Sequence, residues 1–501
     1  MSEKEINIDI QEEELSADAL REIIQIRHDK LNNFIAEGNN PFEINSYKRT
    51  AYSKQIIDAY PKHDGKKVSI AGRIMSKRIM GKASFCHVLD AQGQIQVYLK
   101  GENLGEKKYE DFKKFDIGDI VGISGKVFVT KMGEVSINAH DIILLSKSLL
   151  PLPEKWNGLK DNELRYRQRY VDLIANPHVK DTFVKRSKII RAIRNFLDKK
   201  GFLEVETPVL AGLAGGASAR PFITHHNTLD MKMYLRIATE LYLKRLIVGG
   251  FDRVYEIGRT FRNEGISIKH NPEFTMMELY EAYTDLDGMM RITEEIFESV
   301  AKELGCGDSI VYQGTEISLK RPFNKMSMSE AVKKYTGLCF DSMDEDTFIK
   351  AAVDKGVHLD KNKQKKGFAL VELFDAFVEK ELIQPTFIYD YPIEISPLAK
   401  KKGEHLTHRF ELFIYAREMG NAFSELNDPI DQRERFKEQM RLKVGGDEEA
   451  QDYDEDYVTA LEYGLPPTGG LGLGIDRLVM LFTDSVSIRD VLLYPTMKPK
   501  K

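Results

Sequence analysis

Three stretches of the chain hold side chains whose types and spacing could do chemistry. The first, RVYEIGRTFRNEGISIKHNPEFTMMELYEAY (residues 253–283), has two alternating runs around a polar loop containing Gly265 and Pro272. This predicts a hairpin with a long loop. Counting by twos puts Arg262 and Glu264 on one face of the first strand. It puts Phe274, Met276, Glu278 and Tyr280 on one face of the second. A sheet face with an arginine, two carboxylates, a phenyl ring and a phenol is costly as plain core. It suits a ligand that combines a phosphate, an aromatic ring and a cation. Taken alone, the segment fits an exposed, salt-bridged sheet face equally well.

The second stretch is TGGLGLGIDRLVMLF (468–482), where Gly470, Gly472 and Gly474 alternate. One face of this strand lacks side chains, so something flat can lie against it, and a helix with Arg477 in its first turn follows. A dinucleotide fold is excluded. The spacing is GxGxG, and the residues after Gly474 are too few for a second strand with a ribose-binding acid. The third stretch is HRFELFIYAREMGNAFSELNDP (408–429). Asn421, Phe423 and Glu425 share a strand face, and Glu411 and Glu418 lie near the turn of an expected hairpin. Paired carboxylates beside a phosphate ligand suit Mg²⁺, which takes few protein oxygens. Glu418 is out of phase with Asn421, so a bulge or turn must intervene.

The elements that must position these groups follow from texture. Residues 16–37 have apolar positions at helical spacing, with Ser16 as N-cap and Gly38 as stop. From Lys67 to Leu145, five short alternating strands broken by glycine predict a small closed barrel of the OB type. Pro151 to Gly158 reads as a linker. Beyond it, helices alternate with hairpin-like strands, giving an α+β domain on an antiparallel sheet flanked by helices. Residues 325–384 read as a helical, lysine-rich insertion, and the acids of Asp447–Asp456 as a solvated segment. The expected domains are a helical segment (1–65), the barrel (66–150) and the α+β domain (151–501).

The chain has 501 residues and a formal net charge of −5. That near-balance conceals a basic barrel, with 13 Lys and Arg against 8 Asp and Glu between Lys66 and His140, a match for a phosphate backbone. No stretch is apolar enough for a membrane span. The opening residues Met1 to Glu14 are acidic and lack an apolar run, so no secretion signal is expected. The scattered Cys86, Cys306 and Cys339 form neither a disulfide framework nor a zinc motif. A soluble cytoplasmic multidomain protein is expected.

Together these stretches resemble the class II aminoacyl-tRNA synthetases. Pro208 in GFLEVETPVL resembles their motif 1, FRNEG…HNPEFT motif 2, and GLGLGIDR motif 3. The order and the N-terminal barrel match the subclass of the lysine, aspartate and asparagine enzymes. GGASARPF (215–222), TELYLKRL (239–246), KHNPEFT and NAFSELNDP are similar to the bacterial-type lysyl family. The resemblance implies an ATP-dependent ligase with Mg²⁺, ATP, lysine and tRNA(Lys) as partners, dimeric through motif 1. An aspartyl or asparaginyl enzyme and a non-catalytic tRNA-binding paralogue are the alternatives.

By the same resemblance, Arg262 bridges the amino-acid carboxylate and the α-phosphate. Phe274 stacks on adenine, and Arg477 packs opposite it near the terminal phosphates. Glu264, Asn271, His270 and Gly474 complete the ATP site, and Glu411 and Glu418 hold the metal. Glu425, Tyr280 and Glu278 take the lysine ε-ammonium. Glu240 and the Gly216 backbone take the α-amino group, and Asn421 and Phe423 border the carboxylate. In the barrel, Phe85 stacks on an anticodon base while Arg78, Gln96 and Glu134 contact base edges. Lys269 stands where many relatives have arginine.

Overall fold

The structure is a computed structural model that describes residues 17–153, 161–360, 363–447 and 449–499. Ser16, the expected N-cap, and the linker from residue 154 lie outside the described residues. The chain divides into two compact units, 1–160 and 161–501. Among the described residues no helix is long and apolar enough to cross a membrane.

The first described element of the first unit is helix α1 (Ala17–Ala36). Gly38 follows it at φ +76°, the left-handed conformation glycine adopts without strain where a helix ends. Strands β1 (Lys67–Met80), β2 (Ala83–Leu89), β3 (Gln94–Lys100), β4 (Ile120–Val129) and β5 (Val135–Ser146) close into a barrel of order β1-β2-β3-β5-β4. The alternation of the sequence becomes alternation of burial. Cys86, Val88, Ile95, Val97 and Leu99 point inward and are almost wholly buried, while Phe85 and Tyr98 point outward and stay half-exposed. Phe34 of α1 packs into the same core. All three cysteines are free thiols.

The second unit is built on a nine-stranded sheet. Its strands are β6 (Leu203–Glu204), β7 (Arg253–Phe261), β8 (Glu273–Ala282), β9 (Asn324–Ser327), β10 (Thr386–Pro392), β11 (Leu406–Phe413), β12 (Glu418–Ser424) and β13 (Thr468–Gly474). They run in the order β9-β10-β11-β12-β13-β8-β7-β6, with the short strand Lys401–Lys402 paired to β11. The centre is antiparallel as expected. The two edge pairings, β9 with β10 and β6 with β7, are parallel. Helices α2 (Pro177–Lys199) and α4 (Leu286–Leu304) cover one face, together with α9 (Ile475–Phe482); α3 (Glu240–Val248) lies between them in sequence. Their apolar stripes join Leu471, Leu473, Leu412 and Met277 in the main core. The segment expected as an insertion forms α5 (Met328–Thr336), α6 (Glu345–Asp354) and α7 (Lys366–Phe377). These pack in their own core with Ile388, Tyr391 and Phe413 of the sheet.

The acidic run 447–456 is not simply solvated. Asp447 pairs with Lys363 at 3.0 Å and Asp454 with Arg245 at 2.8 Å, while Asp452 pairs with Lys443. Asp454 also caps helix α8 (Glu455–Glu462) by accepting from the Tyr457 N–H. Charge partners far along the chain are invisible to a local reading of composition.

Candidate active site

The sheet's uncovered face is laid out by strand register. Glu278 of β8 lies opposite Gly472 of β13, Gly472 opposite Asn421 of β12, and Asn421 opposite Glu411 of β11. A parallel row runs Tyr280, Gly470, Phe423, Arg409. The glycine strand is thus a low floor between two walls of functional side chains. Gly470 is low because its neighbours need the space: a Cβ there would meet Glu425 Oε1 at 2.1 Å and the Tyr280 ring at 2.5 Å. Gly470→Ala is expected to cost about 1–3 kcal/mol by overpacking. Gly474→Ala, whose Cβ would come no closer than 3.7 Å to a neighbour, should be close to neutral. Denaturation midpoints of the two variants check this.

The hairpin of β11 and β12 carries the bulge that the phase of Glu418 required. Leu412 pairs with Gly420 and Phe413 with Glu418, so Met419 is the extra residue. Met419 turns into the core, and Glu418 and Asn421 come to the same face although three residues apart.

A cavity of about 600 Å³ covers this face, and every residue assigned above to ATP, amino acid or metal lines it. One placement differs from strand counting. β7 ends at Phe261. The Arg262 N–H still pairs with the Pro272 carbonyl at 2.8 Å, but the Asn263 N–H turns to the Arg220 carbonyl at 2.8 Å. Glu264 therefore lies on the exposed loop at the cavity's edge and shares no strand face with Arg262.

One end of the cavity is acidic. Glu278 and Glu425 are almost wholly buried, and Glu278 Oε2 and Glu425 Oε1 have no hydrogen-bond partner. Burial, reinforced by the charge of Glu240, pushes the Glu278 carboxyl up to about 7. Burial likewise holds Glu425 well above the usual carboxylate range although Lys244 pulls the other way. Buried acceptors left open in a cavity call for a cationic donor. Gly216, at φ +85°, lines the same end beside Glu240.

The other end is built for anions and an aromatic ring. The Arg262 guanidinium lies 5.2 Å from the centre of the Phe274 ring, and its buried Nε has no partner. Arg477 donates to Glu418 Oε2 at 3.1 Å and lies 3.4 Å from His270 Nε2. Burial, with the nearby charges of Arg477 and Lys269, pushes the His270 ring below its ordinary value. Asn271 is buried, donates to the Glu273 carbonyl at 2.7 Å, and keeps an unpartnered Oδ1. Lys269 reaches the Ala416 carbonyl at 3.2 Å and Glu379 at 3.4 Å.

Glu411 and Glu418 face each other across this end. Burial and the charge of Glu418 push Glu411 up, while Arg477 and Arg262 outweigh burial and hold Glu418 down. Among the described residues no group of three or more His, Cys, Asp or Glu side chains could hold a metal. The pair fits a hard cation that draws its other oxygens from phosphate and water, as Mg²⁺ does.

Strand counting leaves out two side chains of this site. Arg409 sits 4.6 Å from the Tyr391 ring centre and 5.5 Å from that of Phe423. It donates to Asn421 Oδ1 at 3.1 Å and Glu411 Oε1 at 2.6 Å. Lys244, on α3, is wholly buried between Glu240 and Glu425. Alternation along β11 could have revealed Arg409, two residues before Glu411.

The barrel holds its own candidate surface. Arg78 lies opposite Phe85, and Phe85 opposite Tyr98, with the two ring centres 5.0 Å apart. Phe128 adds a third half-exposed ring at 6.2 Å from Tyr98. Gln96 donates to Glu134 at 2.7 Å, and His87 lies 3.2 Å from the other Glu134 oxygen. A row of outward rings beside polar edges is a stacking platform for unpaired bases.

Comparison with known proteins fits both units. Residues 161–498 match the family described as tRNA synthetases class II (D, K and N). Residues 68–145 match the OB-fold nucleic acid binding domain. The lysine–tRNA ligase of Thermoanaerobacter sp. (strain X514) is 58% identical over 488 residues, 97% of this chain and 98% of that protein. That of Pelotomaculum thermopropionicum is 57% identical, covering 96% of each. That of Clostridium kluyveri is 54% identical over the full length of both. With motifs 2 and 3 side by side on one sheet face and its barrel ahead of them in sequence, the chain belongs to the lysine–tRNA ligase family of class II tRNA synthetases.

Proposed function

We propose that this protein joins L-lysine to tRNA(Lys) through a lysyl-adenylate. The observation that carries the reading is the pair of buried, unpartnered carboxylate oxygens of Glu278 and Glu425, at the opposite end of the cavity from Arg262 and Arg477. An amino acid with a side-chain ammonium satisfies those acceptors. Aspartate would place a carboxylate against them, and asparagine would leave a buried charge uncompensated, which is why the sibling specificities are disfavoured.

In the first step the lysine carboxylate attacks the α-phosphorus of ATP. The bond to the bridging oxygen breaks, and pyrophosphate leaves. The nucleophile is already ionised, so no general base is required, and positioning and charge stabilisation carry the catalysis. Arg262 bridges carboxylate and α-phosphate with its planar fork. Phe274 stacks on adenine, Asn271 and Glu264 read its edge, His270 and Arg477 lie by the phosphates, and Gly474 leaves them room. Glu411 and Glu418 would hold Mg²⁺, which neutralises phosphate charge. Glu425, Tyr280 and Glu278 hold the ε-ammonium, Glu240 and Gly216 the α-amino group, and Asn421 and Phe423 the carboxylate end. In the second step a terminal hydroxyl of tRNA attacks the acyl carbon and AMP leaves.

Phe85, Arg78, Gln96 and Glu134 read the anticodon. Phe85→Ala is expected to raise the KM for tRNA by about 10- to 100-fold, the worth of one stacked base, with adenylate formation unchanged. Aminoacylation and pyrophosphate-exchange assays on the same preparation separate the two. A homodimer through the motif 1 region is supported by the exposed apolar side chains Val209, Leu210, Leu213 and Ile223. A cytoplasmic enzyme fits this reading.

ATP–pyrophosphate exchange with each of the twenty amino acids, without tRNA, tests the whole. Exchange with lysine is the expected result. Exchange with aspartate or asparagine would overturn the pocket assignment, and no exchange by a folded dimer would favour a non-catalytic paralogue.

A further inference from the structure

We propose that Lys244 is a positioning residue for the amino-acid pocket: from behind its wall it fixes the carboxylates of Glu240 and Glu425 and sets the pocket's net charge to match a substrate with two ammonium groups. The proposal rests on the lysine reading above and deepens it.

Lys244 does not line the cavity. Its side chain is wholly buried on α3, and Nζ donates to Glu240 Oε1 and to Glu425 Oε2, each at 2.6 Å. The Tyr457 ring lies behind it, 5.6 Å from Nζ to the ring centre. Each bond commits one carboxylate oxygen to the protein. On Glu425 the other oxygen, Oε1, stays buried and unpartnered, pressed over Gly470 on the cavity floor. Lys244 therefore acts as a clamp that turns Glu425 so that one acceptor remains for the substrate.

Charge gives the same answer. Glu240, Glu278 and Glu425 face the acidic end, and Lys244 is the cation bonded among them. With all three carboxylates ionised, as ammonium groups in the pocket would hold them, three carboxylates and one ammonium leave two negative charges, and lysine brings two ammonium groups while its carboxylate goes to Arg262. Without Lys244 a third negative charge would be buried without a counterion. A carboxyl group in that position takes up a proton instead and becomes a hydrogen-bond donor, the wrong partner for an ammonium. Burial opposes charge on Lys244, but Glu240 and Glu425 outweigh it and hold its ammonium firmly protonated.

The test is lysine-dependent pyrophosphate exchange as a function of pH. The wild type is compared with Lys244→Met, which keeps the chain's bulk and removes its charge, and with Lys244→Gln, which serves if the Met variant does not fold. Lys244→Arg keeps the charge. The groups facing Lys244 and its carboxylates are Glu240, Glu425, Glu278, Tyr280 and Tyr457, with Arg245 over the Tyr457 ring. In the neutral variants the KM for lysine at pH 7 should rise about tenfold or more while the KM for ATP stays within about twofold. Loss of the cation makes Glu425 harder to ionise, so the acid limb of kcat/KM for lysine should move up by about one pH unit or more. The Arg variant should keep the wild-type limb.

An unmoved limb in the neutral variants, or a proportional loss in both KM values and kcat, would overturn the proposal and reduce Lys244 to packing. A wild type that shows no exchange with lysine would instead sink the underlying functional reading.

Discussion

Arg262→Ala is expected to lower lysyl-adenylate formation by about a thousandfold or more while leaving tRNA affinity near its wild-type value. One preorganised donor to a developing charge is worth about 3–4 kcal/mol, and in the proposed reaction this guanidinium would offer several to two anionic partners at once. Its Nε is buried with no protein acceptor, and the Phe274 ring lies beneath the group. The donor is thus already dehydrated and oriented before ATP arrives. Arg262→Lys should recover little, because a single ammonium cannot bridge a carboxylate and a phosphate in a fixed plane. Pyrophosphate exchange and a filter-binding assay with tRNA measure the two halves. Near-normal exchange by the Ala variant would remove Arg262 from its role.

Glu278→Gln should produce a protein that is more stable yet almost inactive toward lysine. The Glu278 carboxyl is pushed up to about 7 in the folded protein, first by burial and then by Glu240, against an ordinary value near 4.5. An acid whose folded value is raised destabilises the fold as pH rises from the unfolded value through the folded one. Below about pH 4.5 the two proteins should be equally stable. The gap should open between about pH 4.5 and 7 and level off near 3 kcal/mol. The amide can still accept from the Thr239 N–H, which is 3.1 Å from Glu278 Oε1, but it offers an ammonium no charge. A loss of about 100-fold or more in kcat/KM for lysine is expected, with the KM for ATP unchanged. Chemical denaturation at pH 4.5 and pH 8 checks the stability gap, and equal stability at pH 8 would count against it.

What could be read from the sequence was whatever repeats with a local period. The alternation of 273–282 placed Phe274, Met276, Glu278 and Tyr280 on one face, and the out-of-phase Glu418 demanded a bulge that the hairpin supplies at Met419. Glu264 escaped because the strand ends one residue before Arg262, where a hydrogen bond from Asn263 to Arg220 redirects the chain. The parallel edges escaped because parallel partners are joined by long crossovers with no turn signature. Lys244 escaped for a related reason. Four residues after Glu240 on a helix, it reads as an ordinary surface pair, and only Glu425, 181 residues away, makes it a buried charge.

The extra residue at Met419 also separates two design problems that share one strand. In the function proposed above, Glu418 before it serves the phosphate end, and Asn421, Phe423 and Glu425 after it serve the amino acid. A recombined enzyme could therefore exchange the later cassette for another specificity without retuning the nucleotide end, provided the insertion is kept. Met419 is the residue without a partner in the ladder, so deleting it would leave Glu418 and Asn421 two residues apart and still on one face, and would cost the core the side chain that Met419 buries there.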